Sequence, residues 1–234
     1  MSPPALARAA PPIELAECDL DEGGVDLGGA YALLDPGERR RAAAFIFERD
    51  RVRFVRAHAF LRRRLGAFLG MPPEAVPIVA PEGAKPFVDA ADVRFSLSHS
   101  GGLAVLAITA GREIGIDLEL PDRSGGFRDE LDDLARACMT ADEVAALADL
   151  PMEARVHRFL SFWTAKEARM KLTGEGLSLD PLDISLELQD GQPVAYARPQ
   201  KPRAELEFVS LSHAQAVCCL ATTHDRLPQS ADAD

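Results

Sequence analysis

Asp117 and Glu119 stand two apart in Gly115-Ile116-Asp117-Leu118-Glu119-Leu120. On a strand, residues two apart share a face. The pair therefore points one way while Ile116, Leu118 and Leu120 point the other. Neighbouring carboxylates repel unless a cation sits between them. Hard oxygen donors favour Mg²⁺, which keeps several waters and bridges to substrate phosphates. A solvent-facing acidic strand has the same pattern, so this pair needs a partner elsewhere in the chain.

The partner comes from Phe162-Trp163-Thr164-Ala165-Lys166-Glu167-Ala168-Arg169-Met170-Lys171. On a helix, Trp163, Glu167 and Lys171 fall at i, i+4 and i+8 and share a face. Glu167 then offers a third carboxylate, and Lys171 faces a phosphate one turn away; a plain surface ion pair is the other reading. Lys166 lies off that line, at the edge of a cleft.

Ser96-Leu97-Ser98-His99-Ser100-Gly101-Gly102 ends a strand in small hydroxyls, a histidine and two glycines. Such a segment brings N–H groups and hydroxyls to a phosphate, and a protonated His99 adds a charge-assisted bond. Serine-protease chemistry is disfavoured, because adjacent strand residues face apart and no G-x-S-x-G elbow is present. Gly83-Ala84-Lys85-Pro86-Phe87 presents a lysine on a turn.

The elements that must position these groups mix helix and strand. Pro36–Leu69 has helical spacing of apolar residues and ends at Gly70 and Pro72. Leu131–Leu150 and Met152–Leu172 also read as helices, the latter stopped by Gly174 and Gly176. Phe95–Ser98, Leu103–Thr109 and Ile114–Leu120 read as strands, as do pieces of Ile184–Thr223. Ser96-Leu97-Ser98-His99 recurs as Ser210-Leu211-Ser212-His213, and each is expected to open a strand, to Thr109 and to Thr223. This repeat indicates an α+β fold of two similar halves. The expected division is a loose arm at 1–12, one half at 13–113, a second at 114–226 and a frayed tail at 227–234. A cleft between such halves is a natural ligand site.

Composition narrows the partners. The 234 residues are 47% hydrophobic and 27% charged, ordinary for a globular protein, and the net charge is -11. Nucleic-acid grips are usually strongly basic, so nucleic acid is disfavoured as the main partner. The four cysteines form no C-x-x-C pair, and Cys218 and Cys219 should face apart on a strand, which argues against a disulfide framework or a zinc site. No apolar run approaches the ~20 residues of a membrane span, and the N-terminus lacks a signal-peptide core. A cytoplasmic protein is expected.

Taken in order, Gly83-Ala84-Lys85-Pro86, Phe95–Ser100, Ile114–Glu119 and Phe162–Lys171 with Gly174-Glu175-Gly176-Leu177 resemble the 4′-phosphopantetheinyl transferases. The resemblance spans roughly 34–223 and is to the long, two-halved kind that serves nonribosomal peptide and polyketide synthases. It implies transfer of the phosphopantetheine arm of coenzyme A to a serine of an apo acyl or peptidyl carrier protein, releasing 3′,5′-ADP. It implies Mg²⁺ on Asp117, Glu119 and Glu167, and coenzyme A contacts from Lys85, Ser98, His99 and Lys171, with His99 at the 3′-phosphate. Arg53 is the expected phosphate-binding arginine and Arg41 the weaker candidate. The family's GKP turn carries an extra Ala84 here. Glu167 is the first choice of general base and Lys166 the second. A monomer is expected, because one chain supplies both halves. An apolar patch between Gly126 and Leu160 is the candidate carrier-docking surface. The competing readings are a non-catalytic carrier- or coenzyme A-binding module and an Mg²⁺-dependent phosphohydrolase of nucleotides.

Overall fold

A computed structural model describes residues 12–22, 26–89, 92–121, 126–197 and 201–223. The arm expected at 1–12, save Pro12, and the tail at 227–234 lie outside them.

The chain opens with strand β1 (Glu14–Asp19) and three helices, α1 (Leu27–Ala32), α2 (Pro36–Ala43) and α3 (Glu48–Leu69). Asp35 caps α2 reciprocally with Glu38, and Gly70 closes α3 in the left-handed region. Next come strands β2 (Ile78–Val79), β3 (Phe87–Val88), β4 (Val93–Ser100), β5 (Leu103–Ala110) and β6 (Ile114–Glu119). Helices α4 (Gly126–Cys138), α5 (Ala141–Ala145) and α6 (Met152–Thr173) follow. Strands β7 (Leu186–Gln189), β8 (Gln192–Tyr196), β9 (Ala204–Phe208) and β10 (Val217–Thr223) complete the fold.

Two three-stranded antiparallel sheets, β1-β5-β4 and β6-β10-β9, form the centre. Strand periodicity sorts their side chains into three cores. Leu106 and Ile108 of β5 pack under α3 with Leu61, Leu65 and Phe95. Val105 and Ala107 of the same strand face the other sheet, meeting Ile114, Ile116, Leu118, Cys218 and Leu220. On the far side, Val217, Cys219 and Ala221 pack against Phe162, Ala165, Ala168 and Leu172 of α6. Cys218 and Cys219 thus enter different cores. The order is helix, sheet, sheet, helix, and the α+β class holds.

Sequence and structure differ in three places. The helical stretch 36–69 breaks at 44–47, because Phe47 takes an extended conformation ahead of α3 and Phe45 turns back onto the Phe54 ring at 5.3 Å. The stretch 131–150 breaks at Thr140, which caps α5 reciprocally with Glu143. Ser210–His213 does not open a strand, and Ser96–His99 lies at the end of β4, turning back at Gly101 into β5 rather than running on to Thr109. Ser210–His213 lies in the connection from β9 to β10, where the Ser212 N–H donates to the Glu17 carboxylate at 3.0 Å instead of to a ladder. Among the described residues no helix is long and apolar enough to cross a membrane.

Candidate active site

The site forms where β6 lies against α6. Ile114, Ile116 and Leu118 are drawn into the core between the sheets, which turns Gly115, Asp117 and Glu119 towards the helix. Gly115 allows the approach: a Cβ there would stand 2.9 Å from Leu172 Cα and closer still to Ala168 O and Leu172 N. Asp117 is buried at 3% exposure, and its Oδ1 accepts from Lys171 Nζ at 2.5 Å and from Ser98 Oγ at 2.9 Å. Glu119 Oε2 accepts from Ser100 Oγ at 2.9 Å.

The three carboxylates feel one another. Burial raises the pKa of Glu119, with the Asp117 and Glu167 charges adding and the Ser100 hydrogen bond opposing. Burial also raises that of Glu167, followed by the Asp117 charge, with Lys171 opposing. Lys171 is thus the cation beside three crowded acids, but it leaves Asp117 Oδ2 buried without a hydrogen-bond partner.

A cavity of about 500 Å³ opens beside Lys171. The turn 83–86, Phe54, His58, Arg41 and His99 are among the residues that line it. The protein around the His99 ring and the Lys171 charge lower its pKa. Phe54 stacks on His58, with ring centroids 4.1 Å apart, and the Arg41 guanidinium lies 5.4 Å from the Phe54 ring centre. A second, apolar cleft of about 470 Å³ begins at Ser100 and Glu119 and runs between α4 and α6 past Leu134, Cys138, Phe159 and Trp163.

Crowded carboxylates with an unsatisfied oxygen, beside a cavity lined by Arg41, Lys85 and Lys171, suit a phosphorylated ligand. Comparison with known proteins agrees. The profile of the 4′-phosphopantetheinyl transferase superfamily matches residues 113–221. The 4′-phosphopantetheinyl transferase HetI of a Nostoc species is 33% identical over 189 residues, 79% of this chain and 78% of that protein. A 4′-phosphopantetheinyl transferase of Bacillus subtilis is 27% identical over 71% of this chain and 76% of its own length, and one of Bacillus pumilus is 30% identical over 77% of each. The chain belongs to the 4′-phosphopantetheinyl transferase superfamily.

Its activity is accordingly that of a transferase acting on carrier proteins. Of the residues singled out in its sequence, the fold brings Asp117, Glu119, Glu167, Lys171, Ser98 and His99 to one place. Lys85 lines the cavity, but its ammonium donates to Ile114 O at 2.7 Å and Leu172 O at 3.2 Å, tying its turn to both β6 and α6. Burial lowers its pKa, against the opposing charge of Glu113. Arg53 does not line the cavity; it grips Asp21 with Nε at 2.8 Å and Nη2 at 2.5 Å. Arg41 does line it. Lys166 is wholly buried, donating to Glu143 Oε2 at 2.7 Å and to the carbonyls of Cys138 and Pro181, each at 2.9 Å.

Among the described residues no three or more His, Cys, Asp or Glu side chains are grouped so as to hold a metal ion. The unpartnered Asp117 Oδ2 and the raised pKa values of Glu119 and Glu167 mark a site short of positive charge. Its all-oxygen donors fit Mg²⁺. Sequence reasoning missed Phe54 and His58; their i, i+4 spacing on α3 was the available signal. It also missed the part played by Ser100, whose alternation with Ser98 was visible.

Proposed function

We propose that this transferase moves the phosphopantetheine arm of coenzyme A onto a serine hydroxyl of an apo acyl or peptidyl carrier domain and releases 3′,5′-ADP. The observation that carries this reading is the buried Asp117 carboxylate with a free oxygen, flanked by Glu119 and Glu167 and bordered by the cavity with cationic walls. Asp117, Glu119 and Glu167 are the residues to hold Mg²⁺, which when bound would neutralise the pyrophosphate charge.

The cavity suits the nucleotide end of the donor. Lys171 and His99 face its phosphates, Lys85 holds the wall, and Arg41 adds charge; Arg53 contributes only by leaving Asp21. Glu167 is the base for the incoming serine hydroxyl, and its raised pKa favours that task. Lys166 is unsuited to it, because all three ammonium hydrogens have acceptors in the core. The apolar cleft of Leu134, Phe159 and Trp163 is the acceptor side; Leu134 and Phe159 fall within the segment expected to dock the carrier, and Trp163 lies just beyond it.

We also take the fold to be two halves, 13–113 and 114–226, related by a pseudo-twofold axis. Supporting this, β5 and β10 are both central strands of three-stranded antiparallel sheets, each sheet backed by a 22-residue helix. One chain then supplies every side of the site, in keeping with a cytoplasmic monomer serving nonribosomal peptide or polyketide synthases.

The test mixes the protein with coenzyme A, Mg²⁺ and an apo carrier domain and weighs the carrier. A gain of one phosphopantetheine arm, abolished by chelation and by Glu167→Ala, is the expected result. Carriers of several types all unchanged in mass would overturn the reading. Release of 3′,5′-ADP without any acceptor would point to a hydrolase instead.

A further inference from the structure

Strands β4 and β6 are edge strands of different sheets, yet they lie side by side. Among the described residues no backbone ladder joins them. Serine hydroxyls do. Ser96 Oγ accepts from Ile116 N at 3.0 Å, Ser98 Oγ from Leu118 N at 3.2 Å and Ser100 Oγ from Leu120 N at 3.1 Å. The period of two is the same on both strands, so every second residue of β4 meets every second N–H of β6. The hydroxyls replace carbonyls and satisfy donors that an unpaired edge would otherwise bury.

Two of these rungs also reach a carboxylate. Ser98 Oγ donates to Asp117 Oδ1 and Ser100 Oγ to Glu119 Oε2, each at 2.9 Å. The first rung has no such partner, because the residue beside Ile116 that corresponds to Asp117 and Glu119 is Gly115. Ser98 is fully committed. A hydroxyl has one donor and two acceptor positions. Ser98 gives its proton to Asp117 and accepts from Leu118 N and from Lys171 Nζ, the latter at 2.9 Å.

We propose that Ser98 and Ser100 are positioning residues, which pin the Asp117 and Glu119 carboxylates to the seam between the two sheets and aim them for the metal. The inference rests on the metal reading above. Each hydroxyl is held at a fixed place by a backbone N–H of β6, and it then holds the carboxylate one residue away. Groups hydrogen-bonded to metal ligands typically set metal affinity by 10–100-fold. Ser96 is the internal control: the same rung with no carboxylate to aim.

The experiment titrates Mg²⁺ calorimetrically into wild type, Ser96→Ala, Ser98→Ala, Ser100→Ala and Ser100→Thr, and melts each without metal. Every alanine variant orphans one N–H, so each should lose roughly 3–8 °C of thermal midpoint. Ser98→Ala and Ser100→Ala should weaken Mg²⁺ binding by about 10–100-fold, Ser96→Ala should stay within about twofold of wild type, and Ser100→Thr should restore affinity by restoring the hydroxyl. Equal weakening in Ser96→Ala would mean that the seam alone matters and would overturn the inference. So would unchanged metal affinity in Ser98→Ala with a raised KM for coenzyme A, which would make Ser98 a ligand. A wild-type protein silent to Mg²⁺ at millimolar concentration sinks the metal reading itself, and the inference with it.

Discussion

Gly115→Ala puts the approach of β6 to α6 under strain at one atom. The added Cβ would lie 2.9 Å from Leu172 Cα and still nearer to Ala168 O and Leu172 N, all backbone atoms of a long helix. Carbon contacts relax at ~3.5–4.0 Å, so strand and helix must part by about 1 Å. Overpacking of this kind costs about 1–3 kcal/mol, or roughly 2–12 °C of thermal midpoint in a chain of this size. The larger effect is on activity. Asp117 and Glu119 ride on β6 while Glu167 and Lys171 ride on α6, so the same movement opens the carboxylate cluster. A ~1 Å misplacement can cost about 100-fold in rate. Initial rates of carrier modification, read by mass well below the melting temperature of the variant, should fall by that order. The Mg²⁺ concentration for half-maximal rate should rise. Full stability together with rates within about twofold of wild type would refute the claimed closeness. A rate loss with unchanged Mg²⁺ requirement would refute the link from the strand–helix spacing to the carboxylates.

Glu167→Gln should abolish transfer yet stabilise the metal-free protein at neutral pH. The Glu167 pKa is raised in the fold, so its contribution is fully present below the unfolded value near 4.5 and is lost as pH rises through the folded value; thermal melts across pH 4–8 should show the wild-type fall and a flatter variant. Lys166→Met should destabilise the chain by about 3–5 kcal/mol, since it leaves Glu143 buried without its partner. Denaturant unfolding measures this, and the pH–rate profile of the folded fraction should keep its limbs, because Lys166 is not the base. His99 has its pKa lowered by the protein packed around its partly exposed ring and by Lys171, so it is neutral at pH 7 and should take up a proton on meeting a phosphate. Calorimetry of coenzyme A binding in two buffers of different ionisation enthalpy should show that uptake, with tighter binding at pH 6 than at pH 8, and His99→Gln should remove both.

Short-range periodicity made the strand and helix of the candidate site legible. Asp117 with Glu119 follows from alternation, and Glu167 with Lys171 from the i, i+4 rule; both hold because β6 and α6 are regular through those residues. What stayed hidden depends on contacts distant in sequence. Strand β1 carries acidic residues at half its positions and becomes a strand only by pairing with β5, from Glu14 opposite Ile108 to Asp19 opposite Leu103. Lys166 neighbours Glu167 in sequence, but one residue is about 100° around a helix, enough to turn its ammonium into the core against Glu143. The resemblance ranks Arg53 above Arg41 as the phosphate-binding arginine. Only the fold shows Asp21 beside one and the cavity beside the other.

The serine segment shows how one short motif can face two different neighbours. Small hydroxyls before two glycines do resemble a phosphate loop. But β4 runs to Ser100, and the turn begins only at Gly101, where φ is positive. Ser96, Ser98 and Ser100 are therefore still on a strand, sharing one face, and that face meets β6 rather than solvent. His99 points the other way, to the cavity. The alternation divides the motif between two tasks: the even-numbered hydroxyls hold the carboxylates, and the odd-numbered histidine is left for the anion. An acidic chain can thus serve a polyanionic donor. Asp117 and Glu119 are tied down by Ser98, Ser100 and Lys171, while Lys171, Lys85 and Arg41 line the cavity beside them.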